Sequence, residues 1–240
     1  MTILENSYKI TGSEVPIFIS QEEGVIMRVI TADKIMLVSL VIPSSSLRGF
    51  EGDEKSTYLL NLEPVKKALR KVSAKGSNII FNLSDEKSIL IVENFRRGFK
   101  TKLEVPSKRT AEQLVNEPTK VNFSSHIRIN TEILGKVISD AKLISEEVSF
   151  EVTNEGLRVE ATAEGKKAFS SLLIPGRGLD EIDFTSKSTS KYSLEMLNVM
   201  MDFVRDHEVI TLSLATDSPL RARAELPGGG YLSVWIAPRV

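Results

Sequence analysis

The chain has 240 residues, a formal net charge of −1 and no cysteine, with 41% hydrophobic and 26% charged residues. That composition is ordinary for a globular protein and excludes a disulfide scaffold, thiol catalysis and a cysteine-ligated metal. No apolar run approaches the ~20 residues of a membrane helix, no signal-peptide pattern opens the chain, and the near-zero charge means that any cationic surface is local.

In chain order, Thr2–Glu14 reads as the remnant of a first helix. Val15–Ser20, Val25–Ile30 and Ile35–Ile42 are rich in β-branched residues and read as strands. Pro43–Leu47 is a turn with a short helical start, and Tyr58–Leu60 a short strand. Asn61 suits a helix N-cap, and Pro64 falls in the first turn, where no intrahelical bond is lost. Leu62, Val65, Ala68, Leu69 and Val72 then form one helical face. The opposite side carries Lys66, Lys67, Arg70, Lys71 and Lys75. Such a row is either a solvated face or a surface aimed at phosphate, and the residues alone do not choose.

Asn78–Leu83, Ser88–Val92 and Phe99–Val105 follow as strands. The next stretch is polar and bounded by Pro106 and Pro118, so residues 106–120 are expected to be a linker. Beyond it, the strand Val121–Ile129, the helix Asn130–Ser145 and the hairpin Val148–Val159 are expected. The strand Lys167–Ile174, the helix Ser193–Arg205 and the strands Val209–Leu214, Leu220–Leu226 and Tyr231–Ile236 complete the chain. Short turns between successive strands favour antiparallel sheet, so the expected class is α+β, with helices on one face of the sheets.

The two halves repeat each other. Phe18–Val29 and Phe150–Val159 both read strand, Glu-Gly turn, strand, and Gly24 and Gly156 are 132 positions apart. Leu62 and Leu194, Gly98 and Gly230, and Pro106 and Pro238 share that offset of 132. A period this long describes two similar domains rather than a stacked array. Residues 1–105 and 121–240 are the expected domains, with 106–120 between them. In the first copy the counterpart of the strand at His126–Ile129 would precede Met1, so either the chain begins late or the first domain dispenses with that strand.

No GxxxxGK[ST] loop and no HExxH motif occur, and Gly228–Gly230 suits a hairpin turn rather than a dinucleotide loop. His126 and His207 fall in a predicted strand and at a predicted helix end, where structural or exposed roles are expected. No catalytic, metal or cofactor residue is assigned. A two-domain hydrolase using scattered carboxylates remains the distant alternative.

Asp33–Val38, Glu112-Gln-Leu114, Pro219-Leu220 and the ending Trp235-Ile-Ala-Pro-Arg-Val240 together form a recognisable pattern. On these residues the chain resembles the proliferating cell nuclear antigen family of DNA sliding clamps, most like archaeal members. The resemblance spans nearly the whole chain, including the duplication and the linker. It implies α+β clamp domains, sheets outside and helices facing the interior of a trimeric ring that encircles duplex DNA without sequence readout. It implies no enzyme activity and no cofactor, and a cytoplasmic location in an archaeon or a nuclear one in a eukaryote.

By that resemblance, Lys66, Lys67, Arg70, Lys71 and Lys75 face DNA, with Lys136, Lys142 and Arg205 as weaker candidates in the second domain. The implied subunit interface uses the edge strands carrying Phe99, Thr101 and Leu103 and, on the other side, Phe169, Ser171 and Leu173. Ile30, Lys34, Ile35, Leu114, Pro219, Trp235, Ala237 and Pro238 match a groove that receives a partner peptide bearing a glutamine and hydrophobic anchors. The implied partners are other clamp subunits, in a homo- or heterotrimer, an ATP-dependent clamp loader, and peptide-bearing proteins such as DNA polymerase, flap endonuclease and DNA ligase. No membrane is implied. A mixed clamp or a damage-signalling ring is the nearer alternative.

Overall fold

The computed structural model describes residues 2–12, 14–50, 55–65, 78–94, 97–163 and 168–239. The chain divides into two compact units: residues 1–32, 38–116 and 227–230 form the first, and 33–37, 117–226 and 231–240 the second. Among the described residues the structure is mostly β-sheet with three α-helices.

The first unit opens with α1 (Thr2–Thr11), where the sequence predicts a helical remnant. Asn6 and Ser7 of α1 are buried, and the Ser7 hydroxyl donates to the Met27 sulfur at 3.7 Å. Strands β1 (Glu14–Ser20) and β2 (Gly24–Ile30) form the predicted hairpin, followed by β3 (Met36–Ile42) and β4 (Ser56–Asn61). β4 pairs antiparallel with β1. Residues 63–65 form a short 3-10 turn, and the expected basic residues Lys66, Lys67, Arg70, Lys71 and Lys75 lie outside the described residues.

β5 (Asn78–Asn82), β6 (Lys87–Asn94) and β7 (Phe99–Thr110) complete this unit. Here one expectation is corrected. Pro106 does not end the strand: β7 continues through it to Thr110, and irregular chain begins at Ala111. β7 pairs with β6 as far as Pro106 and with β4 from Ser107. Proline has no N–H, and it sits where the strand changes neighbours and one ladder bond is dispensable.

In the second unit, β8 (Ser125–Asn130) leads directly into α2 (Thr131–Lys142). The Asn130 side-chain carbonyl accepts from the backbone N–H of Glu132 at 2.9 Å and of Ile133 at 3.3 Å, which supplies acceptors for a helix start. β9 (Glu147–Thr153), β10 (Gly156–Thr162), β11 (Ala168–Pro175), β12 (Gly178–Phe184) and β13 (Ser188–Ser193) follow. The sequence reading missed β12 and β13, whose polar, alternating residues carry a weak strand signal. Ser193 caps α3 (Leu194–Val204), accepting from the Met196 N–H at 3.4 Å. β14 (Val209–Leu214), β15 (Leu220–Glu225) and β16 (Tyr231–Ile236) end the chain.

Leu134, Val137, Ile138 and Ala141 of α2 and Leu197, Met200 and Val204 of α3 are buried. They recur every three or four residues, so each helix presents one apolar stripe to the core. Ile127, Ile129, Ile210, Leu212, Leu232, Val234 and Ile236 supply the sheet side of that core.

The duplication is visible in the elements. β2 and β10 are separated by 132 residues at both ends, and so are β4 and β13. The two Glu-Gly turns share a steric reason. Gly24 has φ +91° and Gly156 φ +149°, and a Cβ would stand 2.1 Å from the Ile42 carbonyl oxygen at the first and 2.0 Å from that of Leu173 at the second. No residue but glycine fits either site.

Candidate functional site

The irregular stretch after β7 is held down from within the first unit. Arg28 on β2 donates from Nε to the Ser39 hydroxyl at 3.2 Å and from a terminal nitrogen to the Val115 carbonyl at 3.3 Å. A cleft lined by Pro16, Arg28, Ile30, Leu59, Gln113 and Leu114 lies there. Two of the sequence-predicted groove residues, Ile30 and Leu114, are thereby brought together. A second cleft, with Phe18, Ile26, Lys55, Thr110 and Asn116, flanks the same stretch. Sequence reasoning missed Arg28; its placement among the apolar residues of β2 was the available signal.

The other groove residues fall in the second unit. Lys34 has a left-handed backbone at φ +60°, and the Asp33 carboxylate accepts from the Ile35 N–H at 3.1 Å. The Ala237 N–H donates to the Ile35 carbonyl at 2.8 Å, so Ile35 and Ala237 are neighbours. Pro219, Ala237 and Pro238 are half-buried.

Trp235 is only 4% exposed, because a polar and aromatic cluster encloses it. Its indole N–H donates to Glu117 at 3.1 Å, and the Tyr231 and Ser233 hydroxyls donate to the same carboxylate at 3.1 and 3.2 Å. These three donors alternate along β16 and therefore share one face of it. Phe123 lies 5.8 Å from the Trp235 ring, and the Arg221 guanidinium stands 4.9 Å from Phe123 and 5.4 Å from Trp235. Burial and the nearby Arg223 lower the Arg221 pKa, against the opposing pull of Glu117. Glu117 and Arg221 were not anticipated; their contacts are between distant positions and leave no local pattern.

The predicted interface strands are both edges. β7 pairs with β6 along Phe99–Pro106 and, among the described residues, has nothing on its other side there. Phe99, Thr101 and Leu103 are half-buried and alternate with exposed Lys100, Lys102 and Glu104. Hydrogen bonding and attraction from Lys87, with Lys102 adding to it, hold the Glu104 carboxyl below its ordinary range. β11 pairs with β10 from Ala168 to Leu173 and meets β12 only at Ile174 and Pro175. Its open side carries no other described strand over Ala168–Leu173. Phe169 and Ser171 are half-buried, Leu173 is buried, and Leu172 and Ile174 are exposed.

The helix faces of the second unit are of mixed charge. Lys136 and Lys142 on α2 are exposed and form no ion pair with a described residue, whereas Arg205 at the end of α3 pairs with Asp202 at 3.6 Å. His126 shares a hydrogen bond with Ser213 at 2.9 Å, and the His207 carbonyl accepts from the Thr131 hydroxyl, so both histidines sit in structural contacts. No helix among the described residues is long and apolar enough to cross a membrane.

Residues 14–105 match the family described as "Proliferating cell nuclear antigen, N-terminal domain". DNA polymerase sliding clamp 1 of Saccharolobus solfataricus is 26% identical over 91% of this chain and 88% of its own length. DNA polymerase sliding clamp 1 of Pyrobaculum aerophilum is 26% identical over 93% of this chain and 88% of its own. Among solved structures, PCNA from Thermococcus kodakaraensis superposes with a TM-score of 0.85 at 18% identity, covering 99% of this chain and 95% of that one. A PCNA2–PCNA3 complex from Sulfolobus tokodaii gives 0.82 at 17%, with the same coverage. The fold is that of PCNA, and the chain is similar in sequence, over about nine-tenths of its length, to archaeal DNA polymerase sliding clamps.

Proposed function

We propose that this chain is a subunit of a trimeric ring that encircles duplex DNA and tethers replication and repair proteins to it. The observation that carries the reading is the pair of unlike open edges, β7 and β11. An exposed edge is a template for another strand, and head-to-tail pairing of two different edges closes a ring where the rotation allows. The duplication supplies a pattern for that pairing. The Ala237 N–H bonds the Ile35 carbonyl within the second unit, and the 132-residue offset carries Ile35 to Lys167, just before β11, and Ala237 to Val105 on β7. The same bond made between two chains would join β11 of one to β7 of the next.

Sliding clamps act as processivity factors, without catalysis. In this reading residues 1–110 and 121–240 are the two clamp domains, joined by the irregular chain from Ala111, and Lys66, Lys67, Arg70, Lys71 and Lys75 supply most of the contact with phosphate. Lys136, Lys142 and Arg205 add to it less, on a face of mixed charge. Phosphate contacts hold without reading sequence, and binding to short linear DNA falls with salt at a slope of about −0.9 per neutralised phosphate. Partner peptides with a glutamine and hydrophobic anchors, such as those of polymerase, flap endonuclease and ligase, dock at Ile30, Leu114 and their neighbours, and an ATP-dependent loader opens the ring. The location is the cytoplasm of an archaeon.

Native mass measurement of the purified chain, alone and mixed with clamp paralogues, tests the assembly. Three chains are expected, and Leu103→Lys or Phe169→Lys is expected to leave folded monomers. A wild-type chain that stays monomeric in every mixture overturns the proposal. A ring formed only with paralogues selects the mixed clamp, an arrangement in keeping with the two-subunit complex from Sulfolobus tokodaii.

A further inference from the structure

The side chains of β7 and β11 fit each other in one antiparallel register. Directly opposite residues share a face, so the half-buried Phe99, Thr101 and Leu103 of β7 must meet Phe169, Ser171 and the buried Leu173 of β11. One alignment sets Leu103 against Phe169, Thr101 against Ser171 and Phe99 against Leu173. Both ends are then apolar on apolar, with hydroxyl on hydroxyl between them. A shift of two residues one way puts Thr101 on Phe169 and Phe99 on Ser171. The same shift the other way puts Thr101 on Leu173 and Leu103 on Ser171. Only the first alignment keeps hydroxyls away from apolar partners. A separate observation selects it too. The Ala237–Ile35 bond, carried by the 132-residue offset, sets Val105 against position 167, and two residues further along each strand Leu103 meets Phe169.

The exposed rows agree with that register. Lys102 falls opposite Ser170, whose hydroxyl donates to Glu160 on β10 at 3.2 Å, so the ammonium arrives beside a carboxylate. Lys100, which pairs with Glu93 at 2.6 Å, falls opposite the exposed Leu172 and lays its alkyl stem against it. Glu104 falls opposite Ala168, and no two like charges stand directly against each other, where they would repel. We propose that the ring closes from copies of this one chain, β7 of each meeting β11 of the next in this register. The inference rests on the ring reading above and adds which chain fills each edge. In a ring of unlike subunits the two edges of one chain never meet, so nothing would hold their patterns in agreement. Here apolar, hydroxyl and charged positions all agree.

The chain has no cysteine, so introduced pairs report this contact alone. Lys102→Cys with Ser170→Cys places two thiols opposite each other at exposed positions, where the fold is not at stake. Opposite residues stand ~5 Å apart, within reach of a disulfide, whereas diagonal ones stand ~7–8 Å apart. Lys100→Cys with Ser170→Cys is therefore the mismatched pair. Each double variant is purified alone and oxidised with copper phenanthroline. The matched pair is expected to give covalent trimers at least about tenfold faster than the mismatched one. Thr101→Cys with Ser171→Cys repeats the measurement on the half-buried face. Equal rates in the matched and mismatched pairs would overturn the register. A matched variant that forms rings with clamp paralogues but no covalent product alone would overturn self-closure and leave the ring reading standing. A chain that stays monomeric in every mixture would remove the ring reading itself, and this inference with it.

Discussion

The indole N–H of Trp235 donates to the Glu117 carboxylate at 3.1 Å, and that single side chain also takes the hydroxyls of Tyr231 and Ser233. Three donors on one face of β16 converge on one residue of the irregular chain before β8. Glu117 therefore pins that chain to the sheet. Replacing it by alanine strands the buried indole N–H, and the expected cost is about 1–3 kcal/mol. Trp235 is the only tryptophan, so its emission reads the change directly. Glu117→Ala is expected to red-shift it and to speed proteolysis near residue 117. Glu117→Gln, which keeps an acceptor, is expected to recover part of both. Unchanged emission and stability in Glu117→Ala would show that the pin is dispensable.

Gly24 and Gly156 make a paired prediction. A methyl group at either meets a backbone carbonyl oxygen that cannot turn away as a side chain can. Gly24→Ala and Gly156→Ala are each expected to destabilise by about 2–4 kcal/mol, by steric clash and left-handed strain together. Gly98→Ala is the comparison: its φ is also positive, at +66°, but a Cβ there meets nothing within 4 Å. It is expected to lose markedly less in chemical denaturation.

Tyr192 gives an alkaline signature. Its hydroxyl donates to the Ser218 carbonyl at 2.9 Å, and burial raises its pKa to about 12. An unfolded tyrosine titrates near ~10, so the unfolded chain loses this proton first. The stabilisation is complete below pH ~10 and is lost as pH rises towards 12, at up to about 1.4 kcal/mol per pH unit. Tyr192→Phe is expected to cost about 1 kcal/mol at neutral pH through the lost hydrogen bond and to flatten the alkaline slope. Denaturant titrations at several pH values measure both.

Arg28 and Leu114 test the groove of the first unit. Leu114→Ala removes an apolar wall, and Arg28→Ala releases the Val115 carbonyl and the Ser39 hydroxyl. Each is expected to weaken a glutamine-and-hydrophobic partner peptide by about tenfold or more, as truncation of an anchor does. Calorimetry on the intact chain checks this, and equal affinity in both variants would move the site elsewhere.

The duplication was legible because it rests on residues that backbone geometry makes irreplaceable. Gly24 and Gly156 keep their spacing since neither turn tolerates a Cβ. The helix starts at Asn130 and Ser193 were legible too, although their capping side chains were not singled out. β13 was missed because Ser188–Ser193 is polar, although the offset applied to β4 would have found it. Pro106 misled for a physical reason: a missing donor usually ends pairing, and here it falls where the strand trades one neighbour for another. Glu117 and Arg221 could not be found from pattern, since what defines them is contact with residues distant in sequence, Trp235 for the first and Phe123 for the second, whereas Arg28 left a signal as a charge among the apolar residues of β2.

That trade at Pro106 has a mechanical side. Residues 99–106 belong to one ladder and residues 107–110 to another, yet the backbone between them is unbroken. A pull applied at Thr110 travels to Phe99 along covalent bonds, without crossing a side-chain contact that could slip. A displacement of the irregular chain that begins at Ala111 thus reaches the open border through one unbroken backbone, with the β4 and β6 ladders sharing the load on the way.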